Sequence, residues 1–130
     1  MEEKIIIDTN IIIDYEKKKS NLLEKYLKLQ EKNKIKVFIS VVSVFEYYSS
    51  QLLEEKTYFS DTEILFSFFT IQEVNKKIAQ LAAEINRKYK LYKKIGLGDI
   101  LIAATSLYLN APLLTKNKKH FKLIPHLKFI

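Results

Sequence analysis

The 130 residues contain no cysteine. That excludes a disulfide scaffold and a thiolate metal site, and it makes an intracellular protein the expectation. The two histidines, His120 and His126, lack the spacing of a zinc ligand pair and are expected to pack or cap, with phosphate contact by His120 as the lesser alternative. No apolar run approaches the roughly 18 residues a membrane span requires. Met1-Glu2-Glu3-Lys4 opens with acids and passes into an apolar stretch too short for a signal-peptide core, so a cytoplasmic protein with no membrane contact is expected. Arginine occurs once, as Arg87, against 21 lysines. Sequence readers of the DNA grooves lean on arginine forks, whereas lysine acts as a point charge on phosphate, so base-specific reading is disfavoured. Glycine occurs only twice, as Gly96 and Gly98, and both lie just before one acid, Asp99.

What is present is mostly Ile, Leu, Lys and aromatic residues, with a formal net charge of +7. The charge suits a polyanionic partner, although an AT-rich genome or a hot habitat produces the same bias. The length fits one domain spanning residues 1–130 that buries about two-thirds of its unfolded surface.

Hydrophobic runs and periodicity supply the organisation. Lys4 to Ile7, Val37 to Ile39, Phe68 to Ile71 and Leu113 to Thr115 read as buried strands, with Lys128 to Ile130 as a last edge strand. Helices are expected between them. One begins at Thr9 or Asn10 as cap; a second, capped by Ser20, ends near Asn33 after Leu22, Leu23, Tyr26 and Leu27. A third, capped by Ser40 or Ser43, carries Val41, Val44, Phe45, Tyr48 and Leu52 on one face. A short helix starts at Asp61 or Thr62, and the regular stripe Val74, Ile78, Leu81, Ala82, Ile85, Tyr89 marks another, with Gly96 as a possible C-terminal stop before the next helix. Ile100 to Tyr108 is apolar on nearly every face and belongs to a central helix. Alternating strands and helices predict a three-layer α/β/α sandwich around a mainly parallel sheet.

In such sheets ligands bind at the carboxyl ends of the strands. Asp8 ends the first strand, Glu46 lies early in the third helix, Asp99 opens the central helix, and Asn117 follows the strand ending at Thr115. Each has an ordinary reading by itself, as a cap, a solvated helix residue or a turn former. Gathered on one edge beside the amide, the three carboxylates repel one another unless a cation intervenes. Oxygen ligands favour Mg²⁺ or Mn²⁺, and a divalent ion in a basic protein suits phosphodiester hydrolysis by an activated water. Lys116, Lys118 and Lys119 beside Asn117, and Arg87 and Lys94 before the glycines, are expected to track a nucleic-acid backbone.

Ile5-Ile6-Ile7-Asp8-Thr9-Asn10, Ser43-Val44-Phe45-Glu46, Gly98-Asp99-Ile100-Leu101-Ile102-Ala103-Ala104-Thr105 and Leu114-Thr115-Lys116-Asn117-Lys118-Lys119-His120-Phe121 resemble, in order and spacing, PIN domains of the VapC-like toxin branch. The resemblance implies a Mg²⁺- or Mn²⁺-dependent endoribonuclease that acts as the toxin of a toxin–antitoxin pair. It puts Asp8, Glu46 and Asp99 on the acidic metal positions, Asn10 and Thr115 on supporting positions, and Asn117 at the site. It also implies tRNA or ribosomal RNA as substrate, a cognate antitoxin and a homodimer. Many members of the branch carry a fourth acid at Asn117 or three residues later, where this chain has His120. The alternatives are a PIN-type processing nuclease of rRNA or structured DNA, and a non-catalytic RNA-binding module.

Overall fold

The computed structural model describes residues 3–50 and 57–130, with the side chains of 57–61 left aside. Four strands form one parallel sheet in the order β3-β2-β1-β4. They are β1 (Glu3–Ile7), β2 (Ile35–Ser40), β3 (Thr70–Gln72) and β4 (Leu113–Leu114). Ile5 lies beside Val37 and Ile6 beside Phe38 on one flank of β1, while Ile6 and Ile7 meet Leu113 and Leu114 on the other. The chain therefore builds outward from β1 to β3 and then returns to the opposite side of β1. That reversal opens a crevice at the carboxyl ends of β1 and β4.

Strand pleating sends alternate residues into two cores. Ile6, Phe38 and Leu113 face one core with α5 (Lys76–Tyr89), α6 (Leu97–Leu109) and α7 (Lys118–Phe121). Ile5, Ile7, Val37, Ile39 and Leu114 face the other, against α1 (Thr9–Glu16), α2 (Leu22–Glu31), α3 (Val41–Tyr48) and α4 (Thr57–Ser67). Both faces are covered, which is why β1 and β2 read as continuous apolar runs rather than as alternating ones. The expected three-layer α/β/α sandwich with a parallel sheet is the observed one.

Several boundaries differ from the sequence reading. Asp8 itself, in extended conformation, caps α1, and Thr9 and Asn10 already lie inside the helix. Asn21 holds the cap position of α2, although the Ser20 hydroxyl still accepts the Leu22 N–H at 3.2 Å. That helix stops at Glu31 because Asn33 turns left-handed. Ser40 caps α3, accepting from the Val42 N–H at 3.0 Å.

The buried face of α3 is Ser43 and Tyr47, four residues apart, while Phe45 points to solvent; Leu52 lies outside the described residues. Helix α4 begins at Thr57, ahead of Asp61 and Thr62, and β3 starts at Thr70 after an exposed Phe68. The stripe on α5 buries Ile78, Ala82 and Ile85 as expected, but left-handed Lys90, not Gly96, ends that helix. Gly96 has ordinary extended backbone and caps α6. The expected strand at 128–130 shrinks to one parallel bridge between Phe129 and Leu113, since β4 offers only two residues to pair with.

Candidate active site

Asp8 emerges where the β1 ladder ends, its own N–H still bonded to the Leu114 carbonyl at 2.9 Å. Its side chain is only 3% exposed. One carboxylate oxygen, Oδ1, accepts the Thr9 N–H at 2.8 Å, and the other, Oδ2, accepts the Thr115 hydroxyl at 2.8 Å. The Thr115 oxygen in turn accepts the Asn117 N–H at 3.0 Å, so the turn after β4 is locked onto the carboxylate at the end of β1. Burial pushes the Asp8 carboxyl above the usual aspartate range, and the fields of Asp99 and Glu46 push it the same way. The bonds from Thr115 and Thr9 offset this in part.

Glu46 approaches from α3. Its Oε1 lies 2.5 Å from the Thr9 hydroxyl, which is also 2.9 Å from the Ser43 hydroxyl. An ionised carboxylate only accepts, so Thr9 donates to Glu46 and receives from Ser43. The opposite oxygen, Oε2, rests against α6, where a β-carbon on Gly98 would come within 2.8 Å of it. Gly98 is thus glycine for close approach and not for turn geometry. Val44 had been expected on the same face as Phe45; the helix instead turns Ser43 and Tyr47 inward, and this carries Glu46 to the sheet edge.

Asp99 occupies the first turn of α6, within the positive end of the helix dipole. It is not the cap, as Gly96 holds that place. His120 on α7 points its Nε2 at Asp99 Oδ2, 2.8 Å away. A carboxylate acceptor assigns the proton to Nε2. The sequence reading had His120 packing or capping, with phosphate contact as the lesser alternative, and missed this pair; the available signals were that His120 lies one helical turn after Asn117 and stands at a position where the resemblance expects an acid.

Asn117 caps the short α7 by position but makes no side-chain capping bond, and Asn10 is exposed. Thr115, Lys116, Asn117, Lys118, Lys119 and His120 line an open cleft of about 680 Å³. Lys116 is paired with Asp14 of α1, so its charge is partly answered within the protein. Arg87 and Lys94 are exposed near the end of α5 and just before α6, and neither lines this cleft.

Among the described residues no three His, Cys, Asp or Glu side chains close around one point as direct ligands of an ion. Asp99 and Glu46 nevertheless lie near enough for their charges to act on the Asp8 carboxyl, which brings the three acids to one end of the sheet. Their donors are all oxygens, and Mg²⁺ characteristically takes one or two carboxylates and keeps several waters. The donor set therefore fits a hard divalent ion that reaches some of its carboxylates through water.

Fold and site together define a parallel α/β domain with an acidic cluster at the topological switch point of its sheet. Comparison with known proteins gives this class a family. The PIN domain family matches residues 5–127. Ribonuclease VapC1 of Methanocaldococcus jannaschii is 30% identical over 125 residues, covering 93% of this chain and 81% of that protein. Ribonuclease VapC10 of Mycobacterium tuberculosis is 35% identical over 91 residues, 69% of this chain and 66% of that protein. Among solved structures, a chain of VapBC2 from Rickettsia felis, bound to a DNA fragment from their promoter, superposes with a TM-score of 0.84 at 26% identity, covering 98% of this chain and 97% of that one. The chain belongs to the PIN domain family. No helix among its described residues is long and apolar enough to cross a membrane.

Proposed function

We propose that this chain is a single-domain ribonuclease toxin of a toxin–antitoxin pair, a Mg²⁺- or Mn²⁺-dependent endoribonuclease of the cytoplasm. The observation that carries the reading is Asp8: a buried carboxylate with two further carboxylates acting on it, at the sheet's switch point. Such a group costs stability and is kept where a cation uses it. The kinship to proteins named as VapC ribonucleases supports the choice of RNA as substrate.

Asp8, Asp99 and Glu46 would hold the ion. Bound there, it supplies a water of lowered pKa and neutralises charge on the phosphodiester. The chain's own residues do the rest. Thr115 and the Thr9 N–H aim the Asp8 carboxylate, Thr9 and Ser43 aim Glu46, and Asn117 offers an amide to orient water or phosphate. Lys118 and Lys119 face the open cleft and meet the RNA backbone, joined by Lys116 and, farther out, by Arg87 and Lys94. Asn10 supports the Asp8 corner from the first turn of α1.

The partners are a tRNA or rRNA substrate, a second copy of the chain and a cognate antitoxin. Several structural neighbours are toxin–antitoxin complexes, which supports the last of these. Phe45 (73% exposed) and Leu97 (72%) flank an apolar groove of about 500 Å³ beside Glu46. Apolar surface of this kind on a charged protein suits a protein partner.

The test is cleavage of total tRNA and rRNA by purified protein in Mg²⁺, Mn²⁺ or EDTA, with Asp99→Asn alongside. Discrete metal-dependent cuts, absent in EDTA and lost in the variant, are expected. Cleavage that persists in EDTA or in Asp99→Asn refutes the reading, as does a failure to cut with either ion.

A further inference from the structure

His120 is the one basic side chain of the cleft that touches a carboxylate of the acidic cluster. Its Nε2 lies 2.8 Å from Asp99 Oδ2, and its geometry is fixed from behind. The ring stands edge-on to Phe121 at a centroid distance of 5.7 Å and an interplanar angle of 89°, and Phe121 is fully buried in the core under α7. The His120 backbone N–H bonds to the Asn117 carbonyl at 3.0 Å. Asp99 is half-buried on the rigid first turn of a core helix, so a fixed donor on one oxygen leaves it a single direction in which to present the other.

The supply of ligand oxygens bears on the number of ions. Of the three carboxylates, Asp99 already has an imidazole on Oδ2. Both oxygens of Asp8 and Oε1 of Glu46 likewise accept hydrogen bonds, so at least four of the six carboxylate oxygens are already engaged within the protein. That leaves enough free oxygen to anchor one divalent ion that keeps several waters, and too little to share between two.

Resting on the proposed metal-dependent reading, we propose that His120 is a positioning residue which holds Asp99 Oδ2 so that Oδ1 faces the cluster, and that the site takes one divalent ion per chain. A hydrogen bond behind a metal-ligating carboxylate typically contributes about 10- to 100-fold in metal affinity. The ring itself need not touch substrate.

Calorimetric titration of the full chain with Mn²⁺, without RNA, tests this. Wild-type protein is expected to take one ion. His120→Ala should keep that stoichiometry and bind about 10- to 100-fold more weakly. His120→Gln, whose amide nitrogen reaches the place of Nε2, should recover most of the affinity. Melting curves establish that each variant is folded, which the half-exposed position of His120 favours.

Two ions per wild-type chain overturn the proposal. So does His120→Ala binding as tightly as wild type or more tightly, since the imidazole would then compete with the ion. His120→Gln as weak as His120→Ala overturns the hydrogen-bond role. Wild-type protein that takes no Mn²⁺ brings down the metal-dependent reading along with this proposal, whereas normal wild-type binding with an unaffected His120→Ala brings down this proposal alone.

Discussion

Replacing Gly98 with alanine strikes Glu46 and little else. The added β-carbon would lie 2.8 Å from Glu46 Oε2, about 0.6 Å inside the 3.4 Å where ordinary contact begins, whereas Val42 Cγ1 at 3.5 Å is already clear. The Glu46 carboxylate must give way, but its other oxygen is tied to Thr9 at 2.5 Å. Losing a hydrogen bond to a charged group costs about 1.5–3 kcal/mol. Alanine returns up to about 1 kcal/mol over glycine in a helix. The net loss is about 0.5–3 kcal/mol, a fall of a few degrees in melting temperature for a chain of this size. Activity should suffer more, because a 1 Å misplacement in a catalytic constellation costs about 100-fold. Cleavage at a fixed Mn²⁺ concentration is expected to drop at least about tenfold while the melting temperature falls by only a few degrees and the protein stays folded at the assay temperature. In a Glu46→Ala background the new methyl has nothing to displace, so the same substitution should have no further effect on the rate. A Gly98→Ala enzyme within about twofold of wild type, or an undiminished effect in the Glu46→Ala background, would refute the reasoning.

Asp8→Asn should melt higher than wild type at pH 7 without divalent ions, and cut RNA at least about 100-fold more slowly. The sign follows from linkage: burial and the neighbouring acids raise the folded Asp8 carboxyl, so the folded state holds the proton more tightly than the unfolded one. Stability from this group is then lost as pH rises from the unfolded to the folded value, and the penalty persists at neutrality. The gap between the two melting curves should close below the usual aspartate range, and a variant less stable than wild type at pH 7 would contradict it. Lys118→Ala and Lys119→Ala should each weaken RNA binding and flatten the log–log salt dependence by about 0.7–0.9, with Lys116→Ala milder because Asp14 already answers its charge. Equal effects from all three lysines in filter binding would discount the Asp14 pairing. Tyr47→Ala should cost about 3–5 kcal/mol in urea unfolding, since Tyr47 is buried against Phe66 at a ring distance of 5.2 Å, while Phe45→Ser should shift stability by less than about 0.5 kcal/mol.

Much of this arrangement was readable beforehand for a specific reason. Strands buried on both faces leave unbroken runs such as Ile5 to Ile7, and a polar residue directly after the run has to sit on the sheet edge. Asp8 and Thr115 were legible in that way, and the parallel α/β/α layering followed from the alternation. The orientation of α3 was not. Phe45 and Tyr47 are both aromatic and two residues apart, and only the packing of Tyr47 against Phe66, far along the chain, decides which goes inside. The pairs His120–Asp99 and Lys116–Asp14 are likewise products of tertiary placement, 21 and 102 residues apart, and local patterning names the partner of neither. The close approach of Gly98 to Glu46 was half legible. Two glycines before an acid signalled something unusual about the backbone, but not which side chain needed the space.

The bond between Thr115 and Asp8 joins residues 107 positions apart. During synthesis β1 and α3 leave the ribosome well before β4, whereas α6 immediately precedes it. A nascent chain therefore carries Asp8 and Glu46 while β1 still has an unpaired flank and Asp8 lacks its hydroxyl donor. Central strand pairing of this kind closes only when the distant segment arrives. The Asp8 corner is therefore among the last parts of the fold to be set, because its hydroxyl donor and its second strand partner arrive together.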